Sequence, residues 1–197
     1  MLTYDAELLA CLPNAIVVPY GTSWVSHWRQ RDLSKRAVCS LIASAKRSQP
    51  DHALRHALAE KVRREGHDVA VTGRGYAAFA DKAYGLAPYR YSVVIENTRE
   101  RNYFTEKLTD AIFCQTVPNY WDCPNIGDFM GTSGMILCKS ETDFHAALNL
   151  MSPNDTRARL PNLIAAHPVA EAYGGLFMRA AQVLLGDAPV PPSPDCP

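Results

Sequence analysis

Within the stretch YSVVIENTRERNYFTEKL, residues 91–108, Glu96, Glu106 and Lys107 stand on either side of a polar loop. A lysine there offers an anion a mobile full positive charge, and carboxylates accept hydrogen bonds from the hydroxyls of a sugar or a ribose. Together these residues describe a site for a phosphorylated sugar. They also have a plain reading, in which Glu106 balances a helix dipole and Lys107 is solvated surface; spacing alone leaves the two level. Three other groups of residues invite chemistry and have simpler explanations. His52 and His56 stand four apart, but no third ligand lies at a familiar metal spacing, so solvated or cleft-facing histidines outweigh a metal pair. Gly73 and Gly75 in TGRGY match neither the dinucleotide nor the P-loop fingerprint and read as turn glycines that allow positive φ or a close backbone approach. Trp24, Trp28 and Trp121 are able to stack on a base or a sugar, yet tryptophan is more often core or edge packing.

The elements that must position the loop are legible. Tyr91, Val93, Val94 and Ile95 form a β-branched and aromatic run of buried-strand length, ending at Glu96-Asn97. Thr105 is an N-cap candidate, and Leu108, Ala111 and Ile112 mark one apolar face of the helix that follows. In an open parallel sheet such a junction lies at the carboxyl edge, where ligands bind and helix amides welcome an anion. Along the rest of the chain, DAELLACL reads as helix and NAIVV as a short strand. Residues 24–35 read as a loop or short helix, and RAVCSLIAS as a buried strand. A helix capped by Asp51 and closed by Gly66 leads to the strand DVAVT. TVPNYW and GMILCK are further strands, and SETDFHAALNLM is a helix capped by Ser140 or Thr142. Residues 158–185 read as two helices broken near Pro168. Alternation of strand and helix predicts an α/β fold, a Rossmann-like parallel sheet with helices on both faces. One domain over 1–186 and a Pro-rich disordered tail over 187–197 complete the expected organisation.

A chain of 197 residues with 47% hydrophobic and 20% charged residues has a globular composition. Its 20 basic and 20 acidic residues balance, which argues against a general binder of nucleic acid or anionic membrane. A basic stretch from Arg29 to Arg64 is the one local exception, suited to a small phosphate ligand or to ordinary solvated surface. Six cysteines show no C-x-x-C spacing, so Cys39 and Cys138 read as small buried hydrophobes of a reducing compartment. No signal peptide and no run of membrane-spanning length is found, and a cytoplasmic location is expected.

The segment YSVVIENTRERNYFTEKLTDAIFCQTVPNYW resembles the donor-binding signature of the α-1,3/4-fucosyltransferases, glycosyltransferase family 10. That signature is an aromatic strand, F-E-N-S/T, a short loop, Y-x-T-E-K, an apolar helix and V/I-P. The matching residues are Glu96, Asn97, Thr98, Tyr103, Thr105, Glu106, Lys107 and Pro118. Upstream, SLIASAKRSQPDHALRHALAEKV resembles the family's strand, loop and arginine-bearing helix, with Arg55 at the arginine position. VAVTGRGY, with Gly73 and Gly75, resembles the glycine-containing stretch that follows. The resemblance covers roughly residues 35–150.

What the resemblance implies is the C-terminal half of a GT-B glycosyltransferase, inverting and metal-independent, that binds a GDP-sugar, usually GDP-fucose, for transfer to a glycan acceptor. Arg55 and Lys107 are expected to hold the diphosphate, Asn97 to help position it, and Tyr103 and Glu106 to contact the ribose or the transferred sugar. Glu96 is expected to order the pocket. No D-x-D occurs, so no metal cofactor is implied and Arg55 with Lys107 take its role. Two positions depart from the pattern. Ser44-Ala45 stands where the family often has Ser-Asn, and Asp122 follows Trp121 where it often has glycine. In the family the general base is a carboxylate of the N-terminal acceptor domain, and no base is placed in this chain. A separate or missing acceptor domain is therefore an expected partner. The alternatives are a nucleotide-sugar-binding module without catalysis and, more weakly, an RNA or polyanion binder using the basic stretch.

Overall fold

The computed structural model describes residues 1–46, 48 and 50–186; the expected tail over 187–197 lies outside the described residues. Two short strands, β1 (Leu2–Thr3) and β2 (Ile16–Val17), pair in parallel across the helix α1 (Ala6–Cys11), which Asp5 caps through the amides of Glu7 and Leu8. The main sheet holds β3 (Ala37–Ile42), β4 (Val69–Thr72), β5 (Tyr89–Ile95), β6 (Val117–Trp121) and β7 (Ile136–Leu137). Their order is β4-β3-β5-β6-β7, and every neighbouring pair is parallel.

The helix α2 (Pro50–Arg64) links β3 to β4, and α3 (Glu106–Phe113) links β5 to β6. The first connection steps to one side along the sheet and the second to the other. Right-handed crossovers therefore put the two helices on opposite faces. Helices α4 (Glu141–Leu150), α5 (Pro153–Ala165), α6 (His167–Tyr173) and α7 (Leu176–Leu185) follow β7. Covered on both sides, the central strands are apolar almost throughout: Leu41, Tyr91, Val93, Val94, Ile95, Val117 and Tyr120 are all buried. So are Leu108, Ala111 and Ile112, the apolar face expected of α3.

Local chemistry adjusts or resolves four sequence expectations. The helix α2 begins at Pro50, so Asp51 lies in its first turn and is not the cap; proline suits that position because its missing N–H has no intrahelical partner there. Residues 158–185 belong to three helices. The first starts earlier, capped by Ser152 through the Asp155 amide, and breaks come at Ala166 and at Gly174–Gly175. Pro168 sits in the first turn of α6, just past the first break, where proline is tolerated, while Pro161 lies inside α5 without ending it. Within residues 24–35 only Trp28–Gln30 is helical, as a 3-10 turn. Ser140, not Thr142, caps α4, in a reciprocal capping box with Asp143.

Candidate functional site

The chain leaves β3 for β4 on one side and returns across it to β5 on the other. The carboxyl ends of β3 and β5 thus mark a topological switch point, where an open parallel sheet leaves a crevice. A cleft of about 1500 Å³ opens there. It takes its walls from Ala43 to Lys46 after β3, Gly73 after β4, Asn97 after β5 and Thr105 to Lys107 at the head of α3. Five basic side chains (Lys46, Arg55, Arg74, Lys82 and Lys107) line it against three acidic ones (Asp81, Glu100 and Glu106), so among the described residues the cleft favours an anion.

Gly73 fixes the floor. Its φ is +108°, and a Cβ there would lie 2.3 Å from the Ala43 carbonyl oxygen. Gly75, at φ +97°, faces Ala45 instead. Gly73→Ala is expected to lose about 1–3 kcal/mol to backbone strain alone, before any shift of the β3 end, as read by urea denaturation.

Glu96 is the knot under the cleft. It is wholly buried, and its carboxylate accepts from the Thr105 amide at 2.9 Å, the Thr105 hydroxyl at 2.6 Å and Lys107 Nζ at 3.3 Å. The Thr105 hydroxyl in turn accepts from the Lys107 amide and caps α3. One carboxylate therefore sets the loop closure, the helix start and the position of Lys107. Its own amide donates to Asp122 Oδ2, tying the end of β5 to the end of β6. Asp122 adopts φ +141°, a conformation that favours glycine, which accounts for the glycine usual at that position in the family pattern. Here the aspartate accepts the strain and supplies the tie.

Arg55 projects from α2 across the carboxyl edge. Its Nη2 donates to Asn97 Oδ1 at 2.7 Å and to the Glu96 carbonyl at 3.2 Å, and the residue is only 7% exposed. His52, a turn earlier and also buried, lies in the same wall; burial first, then the Arg55 charge, holds its imidazole below the ordinary histidine range, so it is neutral at neutral pH.

On the other side, Lys82 Nζ meets Asp110 Oδ2 at 2.8 Å and Glu106 Oε1 at 3.5 Å, and Lys107 Nζ meets the same Glu106 oxygen at 3.4 Å. The second Asp110 oxygen accepts from the Ser23 hydroxyl and the Trp24 and Val25 amides, which anchors residues 23–25 over the sheet edge. Burial pushes the Glu106 carboxyl up, but Lys82 and Lys107, with the Thr105 hydroxyl, pull it down further, and it ends below the ordinary glutamate value of 4.5. A depressed folded-state pKa makes the ionised form a stabiliser. That stability is full above the unfolded-state pKa and is lost as pH falls through the folded one. The stability gap between the wild type and Glu106→Gln is therefore expected to narrow between pH 7 and about pH 3, measured from urea midpoints. An unchanged gap would contradict the ion-pair assignment.

Tyr103 closes the wall with Tyr4 and Tyr20, its ring 5.0 Å and 5.9 Å from theirs, and burial pushes its phenol well above the ordinary range. It stays a neutral hydrogen-bonding group.

Comparison with known proteins adds to this geometry. No family model matches the sequence. An alpha-(1,3)-fucosyltransferase FucT of Helicobacter pylori is 30% identical over 64 residues, 32% of this chain and 13% of the relative. A solved α1,3-fucosyltransferase with GDP-fucose superposes with a TM-score of 0.54 at 24% identity, over 67% of this chain and 40% of that one. One with GDP gives 0.55 at 20% identity, over 84% and 52%. Over part of its length the chain is similar to α1,3-fucosyltransferases, and the solved structures share its fold. It spans about half the length of those solved structures or less, and its fold is the Rossmann-like one seen in their GT-B architecture.

In this chain, Arg55, Asn97, Tyr103, Thr105, Glu106, Lys107 and Gly73 all reach the cleft. Glu96 lies beneath it and Gly75 backs its floor. His52 and His56 do not form a metal pair, since His56 spends its two nitrogens on Tyr76 Oη (2.6 Å) and the Lys46 carbonyl (3.1 Å). Trp28 and Trp121 are packing residues, stacked on Phe113 and Phe144, whereas Trp24 is 68% exposed at the cleft with Lys82 Nζ 5.1 Å from its ring centre. The basic stretch is dispersed: Arg29 pairs with Glu171, Arg31 with Asp81 and Arg36 with Asp32. Lys35 is half-buried and donates to the Ala87 and Cys114 carbonyls, and desolvation pulls its ammonium down to about 8. Sequence reasoning missed Lys82 and the Asp110 anchor, because the partners of each lie far away along the chain. Cys39, Cys114, Cys123 and Cys138 are free thiols in the core. No helix among the described residues is long and apolar enough to cross a membrane.

Proposed function

We propose that the chain is the donor-binding part of a glycosyltransferase that holds GDP-fucose or a related GDP-sugar for inverting transfer to a glycan hydroxyl. The observation that carries this reading is the convergence of Arg55 and Lys107 on one cleft at the switch point, each held in place by the same residue: Glu96 accepts from Lys107 with its carboxylate and from Arg55 with its carbonyl. Two solved fucosyltransferases of this fold are described as complexes with GDP-fucose and with GDP, which supports the choice of nucleotide.

In this reading Arg55, with its planar fork, and Lys107 hold the diphosphate beside the first amides of α3. Negative charge grows on the leaving GDP as the sugar bond breaks. Fixed cations at that point stabilise the transition state more than the bound donor. Asn97 keeps Arg55 in position, Glu106 in its ionised form accepts from a ribose or sugar hydroxyl, and the Tyr103 phenol offers a neutral partner.

A second reading, donor binding without transfer, draws on the carboxylates themselves. Deprotonating an acceptor hydroxyl needs a base within hydrogen-bond reach of it. Glu96 is fully engaged, Asp110 is buried in its own network, and Glu106 is held between two lysines at a depressed pKa. In the transfer reading the base is a carboxylate of a separate acceptor domain, and the second reading needs none. Calorimetric titration with GDP, GDP-fucose, GDP-mannose and UDP tests the common part: guanine-selective binding supports it, and equal or absent binding of all four removes it. Formation of fucosylated glycan with release of GDP, on adding glycan acceptors and a separate acceptor domain, then distinguishes transfer from binding alone, while free fucose reports hydrolysis by water.

A further inference from the structure

We infer that Glu65, His67 and His145 form a binding site for a divalent transition-metal ion of the zinc class, on a side of the molecule away from the cleft. The three residues come from two elements. Glu65 follows the last turn of α2 and His67 precedes β4, separated by Gly66, while His145 projects from the middle of α4.

The local backbone makes the first pair converge. Gly66 takes φ +72°, and the His67 amide donates to the Val62 carbonyl at 3.0 Å while the Gly66 amide reaches Arg63, a helix-closing turn that brings the side chains of Glu65 and His67 to one point. His67 Nε2 lies 3.3 Å from Glu65 Oε2, and His145 Nδ1 lies 3.6 Å from the same oxygen. All three candidate donor atoms lie within 4.8 Å of one another.

These separations carry the argument. Zinc bonded to imidazole nitrogen and carboxylate oxygen at about 2.0–2.2 Å in a tetrahedron sets its ligand atoms about 3.3–3.6 Å apart. Two of the three edges already have that length, and the third needs only a small swing of one imidazole. The other Glu65 oxygen faces Arg64 at 4.0 Å, which leaves Oε2 for the histidines. The site also sits at the carboxyl end of a helix of 15 residues, where the backbone carries partial negative charge. Two histidines and a carboxylate make a familiar three-ligand zinc set, with solvent completing the fourth position. Such an ion pins the end of α2 to α4.

The probe is zinc chloride alone, added to the metal-stripped full chain and followed by calorimetry and by the thermal unfolding midpoint, with cobalt(II) absorption as a spectroscopic check. Binding of one ion per chain is expected to raise the unfolding midpoint, because the ligands converge only in the folded state. His67→Ala and His145→Ala are each expected to weaken it about 100-fold or more, and Glu65→Gln about 10-fold or more. Cobalt should show the intense visible bands of a tetrahedral N/O site, lost in His67→Ala/His145→Ala. Because the three residues are at least partly exposed, the variants are expected to fold, and their circular dichroism spectra are compared with the wild type. Absence of binding at 100-fold molar excess of zinc would overturn the inference. Binding that survives in the double variant would do so as well, since it would place the ion on cysteines or elsewhere.

Discussion

Arg55→Ala is expected to lower the affinity for GDP about 100-fold, a loss of about 2.7 kcal/mol, in the range for removing one partner of a desolvated, charge-assisted contact. Arg55 is held nearly rigid by Asn97 and the Glu96 carbonyl before any ligand arrives, so the ordering cost of the side chain is already met and the contact keeps most of its gross strength. Arg55→Lys separates charge from geometry. A lysine keeps the charge but loses the planar fork and the paired contacts, and an intermediate loss of about 10-fold is expected. Calorimetry with circular dichroism as a folding control checks both. A change of less than about 3-fold for alanine would mean that Arg55 only braces the β5 loop and that the diphosphate, if bound, lies elsewhere.

The largest effect on stability is expected at Glu96. Removal of one carboxylate by Glu96→Ala leaves the Thr105 amide and hydroxyl without their acceptor and Lys107 without its nearest buried counter-charge. Breaking a buried ion pair on one side costs about 3–5 kcal/mol, a large share of the stability of an ordinary domain. Glu96→Gln, which still offers a carbonyl oxygen to the Thr105 amide, is expected to lose roughly half as much. Lys107→Ala in the Glu96→Ala background should cost little more, because the stranded charge is gone, and that non-additivity is the signature of a shared network. Urea denaturation of the two single variants and the double variant gives all the energies. A loss under about 1 kcal/mol for Glu96→Ala would show that the knot is not what closes the loop.

These two residues also show what the sequence made legible. The strand into Glu96, the Thr105 cap and the apolar face of α3 follow from periodicity and from capping chemistry, both local, and the structure keeps all three. Parallel order followed from alternation of elements. The role of Glu96 under the pocket came from family resemblance, and the geometry supplies its reason: a strand-end carboxylate organises a helix start ten residues on. What stayed hidden is long-range. Lys82 sits in an unremarkable segment, and nothing nearby foretells that it meets Glu106 and Asp110. Asp110 reads as a polar interruption of a helix until the chain near Ser23 folds back onto it. The break at Ala166 falls near Pro168, as expected, with the proline in the first turn of the next helix, but the second break at Gly174–Gly175 went unread. Asp122 is an intermediate case. The substitution of a glycine position by aspartate was visible, but its meaning required the backbone conformation and the Glu96 amide it holds.

The proposed donor site puts a nucleotide diphosphate between α2 and the head of α3, at the switch point of the sheet. Hydrogen-exchange mass spectrometry of the chain with and without GDP-fucose tests it most directly. Slower exchange is expected in the segments around residues 43–46, 52–56 and 97–107, with α7 and the α4 region unchanged. Saturable binding with protection confined to other segments, or no protection in these three, would contradict it.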